Sequence, residues 1–165
     1  MRYFASMLVL AGVLGSLVPV EADAQRRPVR FHGIGPRVGF SLDPDHFVFG
    51  GHADFGDPFP YFTLLLPVIE IGVGDNRTTT SLGTDLLFRF SNSWGSWTPY
   101  MGGELAFVIQ SFDNPGKDRS SDIGLSGIFG IEKGVGSDNR FATEFKLAFE
   151  DAPSFKFTAI WTFGH

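Results

Sequence analysis

Apolar and polar residues alternate with period two over most of this chain, and the alternation is clearest toward its C-terminal end. Phe141, Thr143, Phe145, Leu147 and Phe149 share one face of a segment whose other face carries Ala142, Glu144, Lys146, Ala148 and Glu150. The next segment repeats the arrangement, with Phe155, Phe157, Ala159, Trp161 and Phe163 opposite Lys156, Thr158, Ile160 and Thr162. Further upstream, Met101, Leu105, Phe107 and Ile109 oppose Tyr100, Glu104 and Gln110, and Leu82, Leu86, Phe88 and Phe90 oppose Asp85 and Arg89. Side chains of a strand point to opposite faces in turn, so this period predicts strands whose two faces meet different environments. Eight segments can be marked, at about 36–43, 46–56, 61–74, 79–91, 97–111, 122–135, 140–150 and 154–163. Turn formers separate them, among them Asp43-Pro44-Asp45, Asp75-Asn76-Arg77 and Gly136-Ser137-Asp138-Asn139. Links this short require antiparallel neighbours, and eight strands in sequence order predict an all-β, up-and-down antiparallel barrel. The alternation breaks at Leu64-Leu65-Leu66-Pro67-Val68, which is apolar on both faces. Pro67 removes a ladder donor there, so a bulge or local distortion is expected in the third strand.

Period two distinguishes the faces without saying which one is inside. Glycine placement argues for the polar face: Gly39, Gly50, Gly72, Gly74, Gly83, Gly102, Gly124, Gly130 and Gly134 lie on it, against Gly51, Gly103 and Gly127 on the apolar face. The narrow interior of an eight-stranded barrel needs small residues between large ones, whereas a solvated surface has no such need. The Phe- and Leu-rich face is also too bulky for so small a bore, so it is expected outside, against lipid. With the strands alternating in direction, Phe55, Phe59, Tyr61, Trp94, Trp97, Phe141, Trp161 and Phe163 collect at one rim, as in an interfacial aromatic girdle. The longest link, about 112–121 with Lys117, Asp118 and Arg119, falls at the other end.

A chain of 165 residues suits one domain, and its 43% hydrophobic content is incompatible with intrinsic disorder. Cysteine is absent, which excludes disulfides and thiolate sites, and a formal charge of −5 offers no electrostatic basis for binding nucleic acid. Residues 1–24 read as a cleavable export signal: Arg2 is followed by the uncharged run Phe4 to Val18, and Ala22-Asp23-Ala24 supplies small residues ahead of a cut before Gln25. Residues 25–35, with Arg26, Arg27 and Arg30, show little periodicity and are expected to form a flexible lead-in to a barrel domain at 36–165.

By parity, Arg37, His52, Asp54, Glu70, Asp85, Arg89, Glu104, Glu132, Glu144, Lys146, Glu150 and Lys156 face inward. Eight strands enclose room for side chains only, so these groups are expected to pair into an ionic plug rather than line an open pore. The acids outnumber the bases, leaving His52, water or protonated carboxyls to balance the set. No catalytic, cofactor-binding or metal-binding residue emerges. His46, His52 and Asp54 share parity, but two histidines six apart on a strand are separated by roughly 20 Å, too far for one ion. No glycine-rich loop opens a helix to hold a phosphate.

Three stretches carry a family resemblance: Pro36-Arg37-Val38-Gly39-Phe40 opening a strand, Pro99-Tyr100-Met101-Gly102-Gly103 entering the fifth, and the closing Phe155-Lys156-Phe157-Thr158-Ala159-Ile160-Trp161-Thr162-Phe163. In these the chain resembles the small outer-membrane β-barrel proteins of Gram-negative bacteria, the OmpA/OmpX-like and porin-like superfamily. The resemblance implies a transmembrane barrel in the cell outer membrane, monomeric, in contact with lipopolysaccharide and phospholipid, and inserted by the barrel assembly machinery. Members of the family usually end on an aromatic residue read by that machinery, whereas this sequence ends Phe163-Gly164-His165. Similar barrels include lipid A-modifying enzymes, but the His-x-Ser pair of the deacylases is not matched by His46-Phe47-Val48 or His52-Ala53-Asp54. A structural, adhesive or surface-interaction role without catalysis is therefore expected. A soluble periplasmic lipocalin-like carrier, with the aromatic face turned inward around a hydrophobic ligand, is the alternative.

Overall fold

A computed structural model of the chain describes residues 30–56, 63–75, 77–112, 119–150 and 155–164. The expected signal segment, Phe59, Tyr61 and most of the long link at 112–121 lie outside these residues. Eight antiparallel strands, β1 (Gly33–Leu42), β2 (His46–Asp54), β3 (Thr63–Gly74), β4 (Arg77–Arg89), β5 (Thr98–Phe112), β6 (Ser120–Val135), β7 (Asn139–Glu150) and β8 (Phe155–Gly164), pair in sequence order. β1 pairs with β8 from Gly33↔Gly164 to Leu42↔Phe155, which closes the sheet into a barrel and leaves no unpaired edge.

The strand limits differ from the sequence pattern where polar or glycine-rich residues hide the period. β1 begins at Gly33, inside the expected lead-in, because Gly33 has pairing partners on both sides, Asp54 and Gly164. β4 and β6 start two residues earlier than expected, in the Thr- and Ser-rich stretches at Arg77 and Ser120. The expected distortion at Pro67 occurs on one seam only. Register with β4 runs unbroken through Pro67↔Thr84. On the other side, Leu65 turns its N–H to Gly56 O and accepts from Phe55 N, so the nitrogen of Pro67, two residues on, also faces β2. The β2–β3 ladder accordingly ends at His52↔Val68. A bulge occurs elsewhere: Leu125 pairs with Glu150 and Ser126 with Ala148, so Phe149 of β7 is the extra residue.

The aromatic and aliphatic face is outside. Phe47, Leu82, Leu105, Phe107, Ile123, Phe129 and Phe145 are exposed, whereas their strand neighbours Val48, Glu104, Ala106, Ile128, Glu144 and Lys146 are buried. This orientation overturns the lipocalin-like alternative, which needs the aromatic face around an internal ligand. At the rim where β2, β4, β6 and β8 end, Trp97 packs against Phe141, Phe141 against Trp161 and Trp161 against Phe163, with ring centroids 6.0–6.3 Å apart. Lys133 lays its ammonium 4.8 Å from the Trp97 ring centre. The girdle read from the sequence is therefore continuous over part of this rim.

The apolar run of β3 is explained inside the barrel. Leu64, Leu66 and Val68 turn inward and join Leu87, Tyr100, Ile128, Ala142 and Ile160 in a buried apolar cluster. Sequence parity placed charges in the bore but did not reveal this hydrophobic layer. Tyr100 fits because its cross-strand partner is Gly130: a Cβ there would collide with the Tyr100 ring. Gly130→Val is expected to destabilise the barrel by about 1–3 kcal/mol through overpacking, measured by urea unfolding, with Tyr100→Ala recovering part of the loss in the double variant. Unchanged stability in Gly130→Val would contradict this packing.

Candidate functional site

The inward charges converge on Arg37, which sits near the middle of β1 and is fully buried. Three branches of its guanidinium group reach carboxylates on three other strands. Its Nε lies 3.1 Å from Glu70 Oε1, Nη1 donates to Asp85 Oδ2 at 2.8 Å, and Nη2 donates to Glu144. A planar fork with fixed donor directions can hold several carboxylates at once, which a lysine ammonium does less selectively. Lys146 extends the cluster, donating to both Asp85 oxygens at 2.8 and 2.9 Å and to Glu104 Oε1 at 2.8 Å. Lys156 donates to Glu70, and the Tyr100 hydroxyl donates to Glu144 Oε2 at 3.0 Å.

Strand register brings these groups together. Asp85 and Glu104 are cross-strand partners, as are Lys146 and Lys156. Placing two lysines opposite each other on one face is unfavourable alone, and placing two carboxylates opposite each other is equally so. Around the closed barrel Lys146 reaches both members of the acidic pair, and Lys156 is taken up by Glu70. Three bases thus meet four acids, and the Tyr100 O–H contributes a further donor. His52, one of the three sources of balance left open by parity, is paired with Thr162 instead of with these acids.

Nearer the aromatic rim, Arg140 pairs with buried Asp54, whose other oxygen accepts from Gly56 N at 2.7 Å. His52 Nε2 and Thr162 Oγ1 lie 2.9 Å apart. Arg89 and Glu132 form a mostly buried pair at the same end. Arg140 was absent from the inward set read from sequence because it sits at a strand start beside a turn. The side chain of Glu150 lies outside the described residues. His46 and His52 occupy opposite ends of β2, as their spacing required.

Beyond the ionic layer, toward the Asp43-Pro44-Asp45 turn, Ser41, His46, Val48, Thr79, Ala106 and Val108 line a cavity of about 30 Å³ together with Glu70, Glu104 and Lys156. That is room for about one water molecule. The apolar cluster and the ion-paired layer lie inside the bore, where each buried charge depends on its protein partners.

No family model matches the chain, and no curated protein sequence matches it. A search of solved structures finds similarity to Neisserial surface protein A (NspA), with a TM-score of 0.56 and 12% sequence identity, covering 80% of this chain and 92% of that one. At this identity the likeness is one of fold: the chain shares the architecture of a small, closed β-barrel surface protein.

Arg37→Met is expected to cost about 3–5 kcal/mol, because it leaves Glu70, Asp85 and Glu144 buried without their shared cation. Equilibrium unfolding of the refolded barrel reads the loss, and a variant as stable as wild type would show that the guanidinium group is not the hub.

Proposed function

We propose that this chain is an outer-membrane β-barrel with a plugged, charged interior, serving a structural, adhesive or surface-interaction role rather than acting as an open pore or an enzyme. The observation that carries the reading is the pairing of an apolar outer wall with an ion-paired polar bore. In water, so extensive an apolar wall would drive association; in lipid it is the solvated surface. The strands span 9 to 16 residues, enough for the tilted crossing of a bilayer, which needs about 9–11. The aromatic rim with Lys133 suits the headgroup region at one interface.

The structural role follows from where the chemistry is committed. Arg37, Lys146 and Lys156 are bound to carboxylates within the bore, so these ionic groups support the barrel instead of facing a substrate. Contacts with other molecules then fall to the links at the barrel ends. The partners consistent with this setting are lipopolysaccharide and phospholipid along the wall, with the assembly machinery acting during insertion.

Cell fractionation tests the location: the protein is expected in the outer-membrane fraction, requiring detergent and migrating differently in gels before and after heating. Release with soluble periplasmic proteins would overturn the proposal. Leu82→Arg, on the exposed wall, is expected to cost about 2–4 kcal/mol in lipid if it lies near mid-bilayer. Planar-bilayer recordings are expected to show no steady conductance of nanosiemens scale, and such a conductance would refute the plug.

A further inference from the structure

The outer wall of a small barrel is convex, yet here it carries an apolar groove. The β4–β5 connection folds back as a tight hairpin, with Trp94 N donating to Trp97 O at 2.7 Å and Trp97 N to Trp94 O at 3.2 Å. Gly95 at its tip has φ +67°, the left-handed region that glycine enters without steric cost. Phe90 and Trp94 of this connection, with Pro99, Phe129, Ile131 and Phe145 on β5, β6 and β7, line an open groove of about 560 Å³. Ser91 and Asn92 add polar groups to the lining.

The geometry points to a binding site for a phospholipid, with one acyl chain in this groove and the phosphate near Lys133. This assignment rests on the outer-membrane reading above. Three observations select the occupant. The groove is continuous with the exposed apolar wall, where the surrounding medium is hydrocarbon. Along β6 it runs from Phe129 through Ile131, and Lys133 is the next residue on that face, held over the Trp97 ring at the rim. Phe129 to Lys133 spans roughly 13 Å along the strand, or about 10 Å of depth once the strand tilt is taken, so the groove reaches into one hydrocarbon leaflet of about 15 Å. An apolar trough of that reach ending at a cation fits an acyl chain attached to an anionic phosphate. An amphipathic peptide would need a longer, flatter surface. The volume lies within the range of small-molecule sites, about 300–1,000 Å³, which is what sets this place apart from the rest of the convex wall.

Native mass spectrometry of the detergent-purified full chain titrated with palmitoyl-oleoyl phosphatidylethanolamine tests the site. Wild type is expected to bind a first lipid at concentrations well below those that give further adducts. Thr143→Trp fills the groove and is expected to weaken that first binding by about tenfold, while Phe107→Trp, on the wall outside the groove, leaves it unchanged. Ile131→Trp serves as a second groove-filling variant, and heat-dependent migration confirms that each variant is folded. Lys133→Ala is expected to weaken the phospholipid several-fold without affecting diacylglycerol, which lacks the phosphate. A smooth distribution of adducts in wild type, equal binding by folded groove-filling variants, or no effect of Lys133→Ala would overturn the site while leaving the membrane barrel intact. A chain that is soluble without detergent would instead overturn the membrane reading, and the site with it.

Discussion

Closing eight strands into a cylinder creates a bore too narrow for bulk water and too polar to pack as a simple hydrocarbon core. Charged groups inside it must therefore satisfy one another. Arg37 makes this possible by donating across the barrel to Asp85 and Glu144 with its Nε ion-paired to Glu70, while Lys146 reaches Glu104 and Lys156 gives Glu70 a second cation. Because these partners come from different strands, the ionic layer forms only when all of them are in register. Closure and neutralisation are thus mutually dependent: the ladder from β1 to β8 brings the charges together, and their pairing removes the cost of bringing the walls so close.

The outer surface follows from the same constraint. With the bore occupied by charge pairs and by the layer around Leu87 and Ile128, bulky residues such as Phe107, Phe129 and Phe145 have no internal volume to enter. They form a wall that is stable in hydrocarbon and costly in water. The protein therefore inverts the usual order of a soluble domain, with polar groups in the middle and apolar groups at the boundary. The Phe90–Trp97 connection is a local departure from that plain cylinder, and it gives one portion of the wall an apolar groove.

Fold and orientation were largely legible from alternation, because strand geometry converts parity directly into a face. Glu144 and Lys146 against Phe145 is sufficient to assign the inward and outward sides of β7 once glycine placement has chosen the bore. Legibility failed where parity carries no contrast. Leu64, Leu66 and Val68 sit in a run that is apolar on both faces, so nothing marked them as the floor beneath an ionic layer. Arg77 and Ser120 begin strands in polar stretches with no apolar partner to reveal the period, and Arg140 follows a turn.

By itself, the sequence determined the number of strands, their antiparallel order, the apolar exterior and the identity of most buried charges, since each depends on local spacing or on the volume available to a side chain. Which charge meets which was decided only in the tertiary structure. Arg37 and Glu144 are more than a hundred residues apart, and their contact depends on barrel closure and cross-strand register, which no local pattern encodes. The groove beneath Trp94 was likewise invisible along the chain: a concavity exists only between surfaces, and its walls come from a hairpin and three strands brought together by folding.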